Sequence, residues 1–363
     1  MIEGPRTPGF TSVPAVIAVV HLVWGPLGTG PLHEFLASYR GQEAGADHEL
    51  IVLLNNVPDP LPEEFAAELQ GIEHRLLRTP EPVQDLAAYA HAADRLEHER
   101  LCFLNSYSAI LAPGWLAKLD HALDQPRAGL VGATGSWASL HSAVLNAFLV
   151  PNPYRRVVPR RSVAREQMRE IELELDAARA PAGAATCARE LPRRTLTGSV
   201  LSTLRSFGPM PEQLLRFAPF PAYHVRTNAF MLDRSTFAGL HMRPLVRKMD
   251  AYLLESGRAS FTSQVRNMGL RTLVVARDGA FYDPPEWSAS STFWQDDQQG
   301  LLVADNQTRS YANGSYDRRR LLSAFAWGPE SAPAPPPEPA TPSVPAPARE
   351  SPSRPAAGGP DRR

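Results

Sequence analysis

An α/β fold, with a mainly parallel central sheet flanked by helices, is what the sequence predicts, and three observations predict it. Short apolar runs alternate with amphipathic segments in a βαβ rhythm. With 43% apolar and only 21% charged residues, the 363-residue chain can bury a full core. Several apolar runs end in polar residues, and in such folds the ends of parallel strands share one rim.

Taken in order, AVIAVVHLVW at 15–24 reads as a strand, and GPLHEFLASYRGQ at 30–42 as a helix with Leu32, Phe35 and Leu36 on one face. HELIVLLNNV at 48–57 is a second strand, and EEFAAELQGIEHRLL at 63–77 a helix running toward a strand. VQDLAAYAHAADRLEH at 83–98 is a helix and RLCFLNSYS at 100–108 the strand that follows it. GWLAKLDHALDQP at 114–126 gives a further helix and AGLVGATG at 128–135 a further strand. The alternation then lapses, and a helical insertion covering the rim is expected at about 152–222. It resumes with HVRTNAFMLDRSTFAGL at 224–240, a strand entering a helix, then RKMDAYLLESGRASFTSQVRNMGL at 247–270 and RTLVVARDGAFY at 271–282. A C-terminal extension contains LLVADNQTRSY at 301–311. Residues 1–327 are expected to form one domain. The stretch 328–363 is Pro, Ala and Ser with almost no apolar bulk, and is expected to be a disordered, partly polyproline II tail.

Charge and cysteine content exclude several classes. Lys+Arg 37 against Asp+Glu 38 leaves a net charge of −1, so no global field draws the chain onto nucleic acid or an anionic membrane. Any anion site is local. Two cysteines, Cys102 and Cys187, make neither a metal-spaced pair nor a disulfide framework, which fits a reducing cytoplasm. The apolar run at 13–24 is short, is interrupted by Pro14 and His21, and lacks a basic flank, so it reads as a buried strand rather than a leader or membrane span. No transmembrane segment is expected; peripheral membrane contact stays open.

The order of these elements resembles a GT-A glycosyltransferase of the family 2 type, over roughly residues 13–282. The first strand and SYRGQ at 38–42 look like the family's opening strand and the helix ending near a Ser and a Gln. ELIVLLNNV at 49–57 stands where the family has a strand ending in Asp-Asp, whose carboxylate reads the nucleotide base. LCFLNSYSAILAPGWLAKL at 101–119 stands where it has a strand ending in Asp-x-Asp, then Pro and a helix. HVRTNAFMLDRSTFAGL resembles the segment that lines the acceptor side. LLESGRASFTSQVRNMGLRTLVV at 253–275 resembles the Glu-Asp segment carrying the catalytic base. The resemblance implies a nucleotide-diphospho-sugar transferase fold, a nucleotide-diphosphate sugar donor and a glycan or glycoconjugate acceptor. A role in surface polysaccharide synthesis follows from it, and so does a catalytically inactive sugar-binding or scaffold protein as the alternative.

The departures from the family pattern bear on mechanism. The family's Asp-x-Asp holds a divalent metal that neutralises the donor diphosphate. Here those positions read Asn105 and Tyr107, with Ser106 between them, and Asn55-Asn56 replaces the acidic pair at the second strand. An amide is a poor ligand for Mg²⁺ or Mn²⁺ but still reads a base edge. A divalent metal therefore stays open as a cofactor without being held at the Asp-x-Asp position.

Guanidinium binds phosphate without a metal. Arg226 is the first choice among Arg226, Arg234, Lys248, Arg258 and Arg266, the alternative being a surface ion pair. His21, Asn55, Asn56, Asn105, Ser106, Tyr107 and Arg226 form the expected donor side. Trp137, His224, Asn228 and Arg258 form the expected acceptor side. Glu255 matches the base, with Asp250 as competitor. His224 reads more readily as a structural histidine than as an acid–base or sugar-contacting group, and Trp137, Tyr107 and Trp287 either stack on sugar or base, or pack in the core. The run Asp305-Asn306-Gln307-Thr308 reads as a polar turn stapling the C-terminal extension, with closure over the donor as the alternative.

Overall fold

A computed structural model describes residues 17–147, 214–245, 248–328 and 331. The expected insertion lies outside the described residues up to position 213, and the expected tail lies outside them apart from Gly328 and Ser331.

The chain begins with β1 (Ile17–Trp24), α1 (Gly30–Gly41), β2 (His48–Asn55), α2 (Glu63–Leu69) and β3 (Arg75–Arg78). It continues with α3 (Asp85–Ala93), β4 (Arg100–Leu104), β5 (Ala109–Ile110), α4 (Trp115–Leu123), β6 (Ala128–Gly132), β7 (Gly135–Ser136) and α5 (Leu140–Ala147). After residue 213 come β8 (His224–Val225), β9 (Ala229–Asp233), α6 (Arg234–Ala238), α7 (Lys248–Ser256), α8 (Phe261–Asn267), β10 (Arg271–Val275) and β11 (Phe281–Tyr282). The C-terminal extension forms β12 (Val303–Ala304), α9 (Asn306–Ala312) and α10 (Tyr316–Trp327).

Eight strands make the main sheet in the order β11-β10-β6-β9-β4-β1-β2-β3. β1 runs parallel to both β2 and β4, with Trp24 opposite Asn55 and His21 opposite Leu104. The ends of these three strands therefore lie on one rim, as the sequence predicts. The chain builds β2 and β3 on one side of β1 and then returns to β4 on the other, so β1 and β4 flank a topological switch point, where α/β sheets open a crevice. β9 runs antiparallel between β4 and β6, with Leu104 opposite Ala229 and Gly132 opposite Phe230. Its reversed direction brings its beginning, not its end, to the shared rim.

Side-chain alternation sorts the apolar residues into two cores. Ile17, Val19 and Val23 of β1 face the layer of α1, α2 and α4, with Phe35, Phe65, Trp115 and Leu119 buried there. Ala18, Val20 and Leu22 face the opposite layer, where Tyr89 of α3, Phe237 of α6, Phe261 of α8 and Trp327 of α10 pack. The mainly parallel sheet flanked by helices is thus the architecture the sequence implies.

Residues 248–267 form two helices, α7 and α8, separated where the backbone turns at Gly257. A Cβ there would crowd the Leu253 carbonyl, and Phe217 bridges to Gly257. α8 then restarts with Ser260, whose Oγ accepts from Ser263 N at 3.2 Å, an ordinary N-cap. Residues 305–308, read as a turn, open α9 through a capping box: Asp305 Oδ1 accepts from Thr308 N at 2.8 Å, and Thr308 Oγ1 accepts from Asp305 N at 2.7 Å. Among the described residues no helix is long and apolar enough to cross a membrane.

Gly25, at the end of β1, lies against the Asn56 backbone at the end of β2, and a Cβ at position 25 would overlap the Asn56 carbonyl. Gly25→Ala is expected to destabilise the protein by about 1–3 kcal/mol, the usual cost of overpacking. Urea denaturation should show a lower midpoint with an unchanged slope.

Candidate functional site

At the rim beside β9 a cleft of about 230 Å³ opens between α7, the segment leading into β9 and the C-terminal extension. His224, Arg226 and Glu255 line it, together with Phe293, Asn306 and Arg318. Three of the residues expected on the donor, acceptor and base sides therefore meet in one cavity.

Glu255 sits near the C-terminal end of α7, and its Oε1 accepts from Thr227 N at 3.1 Å. That bond fixes the carboxylate at the entrance of β9. Tyr252 and Glu255 face the cleft together because residues three apart share a helix face. Asp250 lies five residues before Glu255, about 140° around the same helix by the 3.6-residue period, and does not line the cleft.

Arg226 is pinned by its neighbours. Its backbone N donates to Thr134 O at 3.0 Å, and its Nη2 donates to Asp305 Oδ2 at 3.0 Å. The two side chains are 7% and 1% exposed. The guanidinium carbon lies 4.0 Å from the centroid of the Phe293 ring, a cation–π contact. Its Nη1 is buried and has no hydrogen-bond partner among the described residues. The site thus holds a guanidinium with one unsatisfied donor arm, in surroundings where such an arm favours an anionic acceptor.

His224 is buried on the cleft wall, and its Nδ1 lies 2.8 Å from Ala222 O. Burial lowers its pKa from the ordinary value, against the opposing pull of Glu255. A neutral ring that donates from Nδ1 carries its lone pair on Nε2. Asn228 is held by Thr134, whose Oγ1 donates to Asn228 Oδ1 at 2.6 Å, while Asn228 Nδ2 is buried without a partner among the described residues.

The expected donor side is largely taken up by the fold itself. His21 is fully buried, stacked on Phe35 at 3.7 Å between centroids, and burial lowers its pKa to about 3. It shares the face of Val19 and Val23, so it is a core residue and meets no ligand. Asn55 is buried too: its Nδ2 donates to Val83 O at 2.8 Å, and its Oδ1 accepts from Val83 N and Thr79 Oγ1, each at 3.1 Å. Its amide brackets the 79–83 loop and has no edge left for a base. Asn56 is exposed with φ 56°, a left-handed conformation that Asn tolerates. Asn105 Oδ1 accepts from Tyr107 N and Ser108 Oγ, both at 3.1 Å, closing an Asx turn. Ser106 is buried within that turn.

This arrangement answers whether a divalent cation fits at 105–107. The one oxygen that Asn105 offers already accepts two hydrogen bonds, and the Tyr107 carbonyl accepts from Arg309 Nη2 at 3.1 Å. A cation would displace both bonds and sit beside a guanidinium, so the residues at this turn do not fit one. The Tyr107 phenol is half-buried, and burial raises its pKa while Arg309 pulls the other way.

On the acceptor side, Trp137 is held in place on every edge. Its Nε1 donates to Pro284 O at 2.9 Å, and its ring meets Phe220, Tyr223 and Trp327 edge-on. It packs beneath the rim, half-buried, with its indole N–H already committed. Trp287 is likewise fully buried, donating to Tyr282 O at 2.9 Å. Arg258 is exposed, and its Nε donates to Leu215 O at 3.1 Å, outside the cleft. Arg266 lies over the Tyr223 ring at 5.6 Å, and the side chain of Lys248 falls outside the described residues. Arg234 follows β9 at the far end of the strand from the cleft, where its N donates to Glu99 O.

The pairing of Asp305 with Arg226, and the approach of Arg309 and Arg318, were not legible, closure of 305–308 over the donor having stood only as the alternative. These residues belong to the C-terminal extension, and nothing local in the sequence links them to β4 or β9.

No family model matches the chain, and no curated protein matches it. Solved structures show distant likenesses. A mannosyltransferase from Pyrobaculum calidifontis, PcManGT, solved with GDP-Man and Mn²⁺, is 12% identical, over 88% of this chain and 73% of that one, with a TM-score of 0.40. TarS from S. aureus is 13% identical over 32% of this chain and 21% of its own, with a TM-score of 0.27. GalNAc-T7 with UDP, GalNAc and Mn²⁺ is 14% identical over 33% and 23%, with a TM-score of 0.28. At these scores the likenesses carry no weight of their own, and the fold class rests on the strand order and direction described above.

His21 gives a measurable consequence. An unfolded histidine titrates near 6.5, whereas the folded state keeps this ring neutral down to about pH 3. Between those values the unfolded chain binds the extra proton, so stability falls as pH drops, by about 1.4 kcal/mol per unit. Urea denaturation at pH 7, 6 and 5 should show a wild-type stability that falls relative to His21→Phe, by about half this increment from pH 7 to 6 and close to all of it from pH 6 to 5.

Proposed function

We propose that this protein is a glycosyltransferase, moving a sugar from a nucleotide-diphosphate donor to the hydroxyl of a glycan or glycoconjugate acceptor. The observation that carries the reading is the pairing, in one rim cleft, of an oriented carboxylate with a buried guanidinium one residue from the group that orients it. The resemblance of the element order to GT-A enzymes supports the same class. The acceptor, a role in surface polysaccharide synthesis and a cytoplasmic location belong to this proposal.

In this reading Glu255 is the general base. With Oε1 bound to Thr227 N, Oε2 has no partner among the described residues and receives the acceptor's O–H. The acceptor oxygen attacks the anomeric carbon as its proton passes to Glu255. The bond from that carbon to the donor phosphate oxygen breaks, and the nucleoside diphosphate leaves with the electron pair. Arg226, through Nη1, binds a phosphate oxygen and favours the charge that develops on departure. Neutral His224 offers Nε2 as an acceptor to a sugar hydroxyl. Single displacement by an external hydroxyl inverts the anomeric centre.

A second reading, a sugar-binding module without transfer, draws support from Asn105, whose amide serves its own turn rather than a metal. A transfer assay with nucleotide-sugar and acceptor panels separates the two.

Glu255→Gln keeps the hydrogen bond to Thr227 and removes the basic oxygen. Turnover should fall by about a hundred- to ten-thousand-fold, with donor affinity unchanged by calorimetry. Asp250→Asn should leave turnover close to wild type. Near-full turnover in Glu255→Gln would overturn the assignment of the base.

A further inference from the structure

Arg309 approaches the end of β4 from the C-terminal extension. Its Nη2 donates to Tyr107 O at 3.1 Å and lies 3.5 Å from Glu34 Oε2. Both contacts use Nη2, so Nε and Nη1 carry no bond among the described residues. The side chains of Arg309 and Glu34 are 36% and 61% exposed, and pairs this open hold together by only about 0.2–1 kcal/mol. A phosphate group therefore displaces Glu34 at small cost.

The position of this guanidinium is what makes it informative. Tyr107 belongs to the turn at the β1/β4 switch point, where the family pattern has metal-binding carboxylates and where this chain's donor atoms do not fit a cation. Arg309 is also tied to the cleft. Four residues earlier Asp305 holds Arg226, and four residues make one helical turn with a rise of about 6 Å. A single turn of α9 thus links one guanidinium inside the cleft to another beside the strand end.

We propose that Arg309, acting with Arg226, binds the donor diphosphate in place of a divalent cation. The inference rests on the glycosyltransferase reading of the cleft and adds a residue and an ion requirement to it. Guanidinium suits the task because it is permanently charged and presents paired N–H groups to two phosphate oxygens. The Tyr107 carbonyl takes one Nη2 N–H, and displacing Glu34 frees the other, which together with the unbonded Nε or Nη1 makes a paired donor edge for the ligand. Unlike a metal, this charge is not removed by a chelator.

The test is calorimetric titration of the full chain with UDP and with GDP, in EDTA and in Mn²⁺. The expected results are that wild type binds at least one nucleotide equally in both buffers, and that Arg309→Gln weakens binding by about tenfold or more without recovery in Mn²⁺. Arg309→Lys should fall between the two, since it keeps the charge and loses the paired donors. Glu34→Gln removes the competing carboxylate and should tighten binding by about twofold or more. A residue that merely held the Tyr107 turn would not respond to Glu34. Binding by Arg309→Gln within about twofold of wild type, a strict need for Mn²⁺, or no gain in Glu34→Gln each overturns the inference and leaves the glycosyltransferase reading standing. Wild type that binds neither nucleotide in either buffer overturns that reading along with it. Thermal unfolding of each variant confirms that the compared proteins are folded.

Discussion

The buried ion pair between Arg226 and Asp305 is the contact on which the rim depends. It joins residues 79 positions apart, one leading into β9 and the other capping α9, both almost sealed from solvent. Removing two charges from water is costly, and their attraction repays it only where geometry and further hydrogen bonds are good. Here Asp305 also accepts from Thr308 N, and Arg226 lies over Phe293. One donor arm of Arg226 nevertheless stays unsatisfied among the described residues. Apolar side chains in place of such a pair are often as stable or more so, and in the proposed function a donor phosphate meets the open arm.

The same pair decides what the C-terminal extension does. β12 pairs antiparallel with β5, Val303 opposite Ile110, which brings the chain over the Asn105–Tyr107 turn. α9 and α10 then form one wall of the cleft, and Trp137 N donating to Ala326 O ties α10 down to the end of β7. The carboxylate, guanidinium and packing residues of the cleft thus come from three separate stretches of sequence held by a handful of long-range bonds.

The extent to which the sequence revealed this follows from the range of the interactions. Strand ends and the shared rim were legible because alternation and parallel pairing are local patterns. Glu255 was expected at the site from the order of its segment around Gly257, and it lines the cleft. His21 was misleading: a polar residue near a strand end suggests a rim, but its alternation with Val19 and Val23 puts it in the core against Phe35. Asn55 and Asn105 misled for a related reason. An amide at a strand end looks available to a ligand, and only the folded chain shows that Val83, Thr79, Tyr107 and Ser108 already occupy it. Trp137 looked accessible because small residues precede it, yet Pro284, Tyr223 and Trp327 close around it from later in the chain.

The antiparallel course of β9 bears on how such a protein tolerates change. Because β9 enters at the rim, the chain leaves the sheet at β7 and returns at β8 side by side, with Gly135 opposite Val225 and Ser136 opposite His224. That small clasp fixes both ends of everything between them. The entropy of closing an excursion between β7 and β8 grows only logarithmically with its length. The two ends of whatever lies between β7 and β8 are thus pinned beside the cleft, so extra length there meets only a small entropic cost.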